Sequence, residues 1–279
     1  MGIYLILKLN IFSFNEASFL FKILNDIKKM KNGFLITGPA GSGKSTCCIE
    51  ILKTKSFKKK KFKIINLDPS NSVWSNLDVI DIRSLIKLED VMNELSLGPN
   101  GALIFCMEYL VDNINWLEDQ INLCNQKIMF FDLPGQIELF THQTLIKDLT
   151  SHLISSCDIK ITVLYFLDSQ FIGDTSKFLG GSLTGLCCML SSECPHHNFL
   201  TKIDLLKNLP SKILQRYRFP DAEALSRDLS NFTNKGFKSL NVSILQLLED
   251  FSMLYYDSLD TTSNESLNEF LISIFTYHS

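Results

Sequence analysis

Short apolar runs, each closed by a polar residue or a turn, alternate along this chain with longer segments of helical spacing. The runs are Phe34-Leu35-Ile36, Phe62–Leu67, Lys127–Phe131, Ile159–Leu167, the stretch entering Asn198-Phe199-Leu200, and Ser252–Tyr256. Six such strands with few internal polar positions predict a mostly parallel six-stranded sheet buried on both faces. Between them, helices are expected at Cys47–Leu52, Asp81–Ile86, Leu88–Leu95, Ala102–Leu123, Ile137–Ser155 and Lys177–Leu190. Further helices follow near Ala222–Asn231, Leu240–Phe251 and Glu265–Phe275. In the long segment Leu103, Cys106, Met107, Leu110 and Ile114 recur near helical spacing, which marks a core face or a partner surface. The fold class is therefore α/β with helices on both faces of the sheet.

The first run leads straight into Gly38-Pro39-Ala40-Gly41-Ser42-Gly43-Lys44-Ser45-Thr46. This is the G-x-x-x-x-G-K-[ST] spacing of a phosphate-binding loop, in the strand–loop–helix context it requires. Gly38, Gly41 and Gly43 let backbone N–H groups of the loop, Ser42 included, turn toward phosphate oxygens. The helix that follows adds its partial positive charge. Lys44 is expected on the β- and γ-phosphates, and the hydroxyls of Ser45 and Thr46 on Mg²⁺ and phosphate. The fold thereby becomes that of a P-loop NTPase.

Three further strand ends carry chemistry. Phe130-Phe131-Asp132-Leu133-Pro134-Gly135-Gln136 ends an apolar run in a carboxylate and continues as D-x-x-G. In phosphate-loop enzymes that aspartate holds Mg²⁺, the glycine N–H senses the γ-phosphate, and an amide at Gln136 is placed to orient water. Asp68, at the end of the second strand, either acts on Mg²⁺ or the attacking water, or caps the turn before Pro69. Thr201-Lys202-Ile203-Asp204 reads as a base-recognition stretch. Asp204 is suited to accept from guanine N1 and N2, and Lys202 to lay its methylenes over the ring. Thr201 stands where this motif usually has Asn.

Composition narrows the class further. With 279 residues, 46% of them hydrophobic, the chain buries a sizeable core. A net charge of −3 gives no bulk attraction to nucleic acid or membrane. Eight cysteines without a C-x-x-C spacing read as reduced core thiols, and Cys187, Cys188, Cys194, His196 and His197 match no common zinc pattern. Residues 1–29 read as an N-terminal extension or a non-native start, with Met30 as the working start of the domain at 30–279. The lysines at Lys58–Lys61 fit a solvated helix end or a nuclear signal.

In the order and wording of its motifs the chain resembles the GPN-loop GTPases. The resemblance is carried by Gly38–Thr46, Asn66-Leu67-Asp68-Pro69, Asp81-Ile82-Arg83, and Gly98-Pro99-Asn100-Gly101 with Phe105-Cys106-Met107-Glu108-Tyr109. It continues in Phe131–Leu139, in Leu167-Asp168-Ser169-Gln170-Phe171 and in Thr201–Leu206. It implies a dimeric, Mg²⁺-dependent GTPase with a helical GPN-loop insertion at about 81–125. Asn100 would reach a phosphate in the partner's site, the partner being a paralogue or a second copy. It also implies a cytoplasmic protein shuttling to the nucleus, which assembles and imports RNA polymerase II through contacts with its subunits. The threonine at Thr201 is expected in one branch of the family. Residues 1–29 lack a counterpart, the region after Asp204 is shortened and the tail stops early. Two other functions use the same loop. An ATP-using phosphotransferase has no need of Lys202 and Asp204, and a non-hydrolysing GTP scaffold has none of Asp132 and Gln136.

Overall fold

A computed structural model describes residues 31–53, 62–74, 77–141, 144–206, 225–229 and 235–276. The readings made for residues 1–29 with Met30, for Lys58–Lys61 and for most of 222–231 lie outside them.

Among the described residues seven parallel strands form one sheet: β1 Lys31–Thr37, β2 Phe62–Asn66, β3 Ile80–Asp81, β4 Ile128–Asp132, β5 Ile159–Asp168, β6 His196–Thr201 and β7 Asp257–Leu259. Their order across the sheet is β3-β2-β4-β1-β5-β6-β7. The expected count of six is thus corrected to seven. The missed strand, β3, pairs only Ile80 and Asp81 with Ile65 and Asn66 of β2. Two residues carry no readable periodicity. The helix expected from Asp81 is instead this strand end followed by a single 3₁₀ turn, Ile82–Ser84, capped by the Asp81 carboxylate, which accepts from Arg83 N–H.

Alternate strand residues feed two cores, as the pleat requires. Phe34, Ile36, Phe130, Phe166 and Phe199 pack with Cys47, Cys48 and Ile51 of α1 (Lys44–Lys53). On the same face lie Phe270, Ile274 and Phe275 of the helix that closes the described chain, Asn264–Thr276. Leu35, Phe131, Val163, Tyr165 and Leu200 face the opposite layer. That layer contains α2 (Leu88–Leu95), α3 (Pro99–Asp112), α4 (Ile114–Asn122), α5 (Glu138–Thr141), α6 (Leu145–Ser155), α7 (Thr175–Ser192) and α8 (Lys238–Asp250). Asn264–Thr276 is α9.

Three other boundaries moved. The helix expected over Ala102–Leu123 is two, because the backbone and side-chain amides of Asn113 both donate to Tyr109 O and close α3. The helix expected over Ile137–Ser155 is likewise split into α5 and α6. The last strand begins at Asp257 rather than Ser252. Met253, Leu254 and Tyr256 are buried, yet only Asp257–Leu259 finds a β6 partner. In that last stretch burial made the apolar run, without strand pairing.

Candidate nucleotide site

The carboxyl ends of β1, β2, β4, β5 and β6 converge on one rim of the sheet, where open α/β folds place their ligands. Gly38, Gly41 and Gly43 turn the chain there with φ of 134°, 78° and 87°. Around Gly38 the loop is wedged against its surroundings. A Cβ on Gly38 would lie 2.1 Å from Phe166 O, and one on Gly135 would lie 2.6 Å from Ala40 N. Lys44 is buried and its Nζ donates to Gly38 O (2.9 Å) and Pro39 O (3.1 Å). Burial pulls its pKa below the usual lysine value, against the opposing charges of Asp132 and Asp68. The ammonium lies folded across its own loop.

Beside it, the Ser45 hydroxyl donates to Asp132 Oδ2 at 2.5 Å and accepts from Asn71 Nδ2 at 2.6 Å. Asp132 is fully buried, and burial raises its carboxyl to about 6 despite the Ser45 hydrogen bond and the Lys44 charge. Its Oδ1 has no hydrogen-bond partner. A buried carboxylate oxygen left bare beside a serine hydroxyl is a donor set for a hard cation such as Mg²⁺, so these residues fit the metal. Asp68 accepts from both the N–H and the hydroxyl of Ser70, and its carboxylate also lines the cavity. In these bonds Asp68 caps the turn that carries Pro69.

The cavity itself, about 480 Å³, is bounded by Gly41, Gly43, Lys44, Ser45, Thr46, Asp68, Asn71, Gly135, Gln136 and Lys202, with Ala40, Ser70 and Leu103. Thr201 lies behind the loop, its hydroxyl 2.7 Å from Ser42 O and 3.2 Å from Leu167 O. In the place where the motif usually has Asn, the hydroxyl ties β6 to the phosphate loop. Lys202 adopts φ of 57° and its Nζ donates to Asp168 Oδ2 at 2.7 Å. Its Cε would lie 3.9 Å from a Cβ on Gly43, so the stem runs alongside the loop. Asp204 sits in the 3₁₀ turn Ile203–Leu206, half-buried and without a hydrogen bond among the described residues.

The Gly-Pro and Asn-Gly pairs of Gly98-Pro99-Asn100-Gly101 by themselves call for a tight turn; in the structure they open α3, with Gly98 at the N-cap and Pro99 in the first helical position. Asn100 Oδ1 accepts from Gln136 Nε2 of the same chain at 3.0 Å. Gln136 Oε1 is buried without a partner. Two residues escaped the sequence reading: Asn71, and Asp168 as the partner of Lys202. Asp168 was visible at a strand end, but Asn71 stood in a loop without any motif of its own.

A glycine-lined anion cradle, a buried lysine and a serine–aspartate pair at the rim of a parallel sheet define a P-loop nucleotide-binding protein. Residues 36–277 match the family model described as "Conserved hypothetical ATP binding protein". The chain is 40% identical over 249 residues to GPN-loop GTPase 3 of Mycosarcoma maydis, covering 86% of this chain and 89% of that protein. It is 42% identical over 229 residues to GPN-loop GTPase 3 of Debaryomyces hansenii, with 82% and 84% covered. The chain belongs to the GPN-loop GTPase family. Its fold also matches a solved GTPase in apo form from Pyrococcus abyssi, with TM-score 0.69 and 22% identity, over 88% of this chain and 97% of that one.

Proposed function

We propose that this protein binds GTP together with Mg²⁺ and hydrolyses it, working as a nucleotide-driven switch. The observation that carries the reading is the buried Ser45–Asp132 pair with Asp132 Oδ1 bare, set against the glycine loop. A site that bound nucleotide without a cation would have no use for so costly a carboxylate. Ser45 and Asp132 would hold the cation, which supplies charge neutralisation on the phosphates. The loop N–H groups and the α1 N-terminus would bind the phosphate oxygens, Lys44 swinging from Gly38 O to join them. Gly135 would donate its N–H at the terminal phosphate. Gln136, its amide NH₂ held by Asn100, would orient the attacking water by accepting a hydrogen bond at Oε1.

Guanine is favoured over adenine because Asp204 offers a carboxylate with no hydrogen-bond partner among the described residues, and guanine N1–H and N2–H₂ are its complement. The relatives' name says GTPase, while the family model's description says ATP. Dimerisation through a paralogue or a second copy, and a role in RNA polymerase II assembly and nuclear import, extend the proposal. They rest on the resemblance alone. Asn100 meets Gln136 of its own chain, so in a dimer it would act at its own site, at the partner's, or exchange between them.

The test is single-turnover hydrolysis of GTP by the purified protein with Mg²⁺, with unlabelled GTP, GDP or ATP as competitor. Phosphate release blocked by GDP but not by equimolar ATP is expected. Binding without release would return the scaffold reading. Equal competition by ATP would return the phosphotransferase.

A further inference from the structure

Asn71 lies in the loop after β2 and turns its side-chain amide toward Ser45, close enough to Asp132 to favour the charged form of that carboxyl. Val73 N–H donates to Asn71 Oδ1 at 3.1 Å, which fixes the amide orientation and turns Nδ2 toward Ser45 Oγ, 2.6 Å away. The loop carrying it is braced at its start. Asn71 N–H donates to Asp68 O at 3.2 Å, and the Asp68 carboxylate accepts from Ser70 N–H at 2.9 Å.

A serine hydroxyl has one proton and two lone pairs. The Ser45 proton goes to Asp132 Oδ2, since an ionised carboxylate only accepts. One lone pair accepts from Asn71. A single lone pair is left, on a side chain that lines the cavity with the unpartnered Asp132 Oδ1 close by. Without the amide, the hydroxyl keeps its bond to Asp132 but is free to rotate its lone pairs about that bond.

We infer that Asn71 is a positioning residue for the cation, holding the Ser45 hydroxyl so that its remaining lone pair faces the metal. This rests on the Mg²⁺–nucleotide reading above. Asn71 touches neither metal nor nucleotide in this role; it acts through Ser45. The competing role is local, an Asx turn in which Oδ1 merely caps the loop at Val73. The two roles use opposite ends of one amide, and a substitution separates them. Asn71→Ser keeps a capping oxygen for the turn but is too short to reach Ser45. Asn71→Ala removes both.

The full-length protein is loaded with a fluorescent GDP analogue, and MgCl₂ is titrated in a chelator-buffered series. Analogue affinity is measured separately in excess EDTA. Both variants are expected to raise the Mg²⁺ dissociation constant about fivefold, the equivalent of roughly 1 kcal/mol for one neutral hydrogen bond. Their EDTA-measured affinity should stay within about twofold of wild type. Full Mg²⁺ affinity in Asn71→Ser with loss in Asn71→Ala would leave only the turn-capping role. Tighter Mg²⁺ binding in either variant would show that the amide competes for the hydroxyl rather than orienting it. An unchanged constant in both variants would likewise overturn the inference. Should wild type itself bind the analogue with no response to MgCl₂, the Mg²⁺–nucleotide reading fails first and this inference with it.

Discussion

At the phosphate end of the cavity the side chains interlock. Lys44 folds onto Gly38 and Pro39, Ser45 links Asn71 to Asp132, and the backbone of Gly135 lies against Ala40. At the base end Lys202 is tied to Asp168, but Asp204 is half-buried on a short turn and takes no hydrogen bond among the described residues. The first end is preorganised by the protein, and its ligand replaces existing internal bonds. In the proposed function the second would be completed by the base, whose hydrogen bonds would be new ones. On that reading preorganisation at the phosphates would supply affinity common to all nucleotides, while an acceptor without a partner among the described residues would supply discrimination.

This contrast predicts where the molecule breaks. The largest effect is expected from Gly38→Ala, where a Cβ meets a backbone carbonyl at 2.1 Å on a residue with φ of 134°. Neither atom belongs to a flexible side chain. The variant should lose roughly 3 kcal/mol or more of stability along with nucleotide binding. Thermal melts compared with wild type check this. A melting point within a degree or so of wild type would mean the loop is looser than its contacts indicate.

Next comes Asp132→Asn in the metal-free, nucleotide-free protein. Burial raises the Asp132 carboxyl from 3.8 to about 6. Between those values the folded state holds a proton that the unfolded state has released. The stability this confers is fully present below pH 3.8 and is lost as pH rises through 6. Removing the charge should therefore stabilise the apo variant over wild type by up to about 3 kcal/mol above pH 7, a gain that closes toward pH 4. Urea unfolding of both proteins across that range reads the gap. A gap independent of pH would show that the carboxylate is not the source. Stability gained at the cost of the site's central charge is what a preorganised functional end should display.

The smallest expected effect lies at the base end. Asp204→Asn presents an amide donor where the carboxylate accepted, so GTP should weaken by roughly 1.5–3 kcal/mol and xanthosine triphosphate should gain. Competition binding at fixed Mg²⁺ measures both. Unaltered GTP affinity in that variant would place guanine recognition elsewhere and make the two ends alike.

Much of the site was legible before any coordinates. Phosphate-loop glycines, Lys44, Ser45 and Asp132 announce themselves because their work is local: a tight turn, a helix start and a strand end are each written within a few consecutive residues. The central strands were legible for a related reason. A parallel strand covered on both faces must be largely apolar, and Phe34-Leu35-Ile36 of β1, Ile128–Phe131 of β4 and Val163–Leu167 of β5 are. At the edges that rule lapses. β3 has two residues, and the apolar stretch before β7 is buried without being paired.

What the amino-acid order determined by itself is therefore the nucleotide chemistry and the layered α/β class, since both follow from spacing along the backbone. Contacts across chain distance were decided only by the packed structure. The Asn71 amide meets Ser45 from 26 residues away, Gln136 meets Asn100 across 36, and the Thr201 hydroxyl reaches Ser42 O across 159. A side chain's partner at such separations depends on which strands neighbour one another. The order β2-β4-β1-β5-β6 that brings these five strand ends to one rim is a property of the folded sheet. Local motifs name the groups that act, and strand order sets which of them touch.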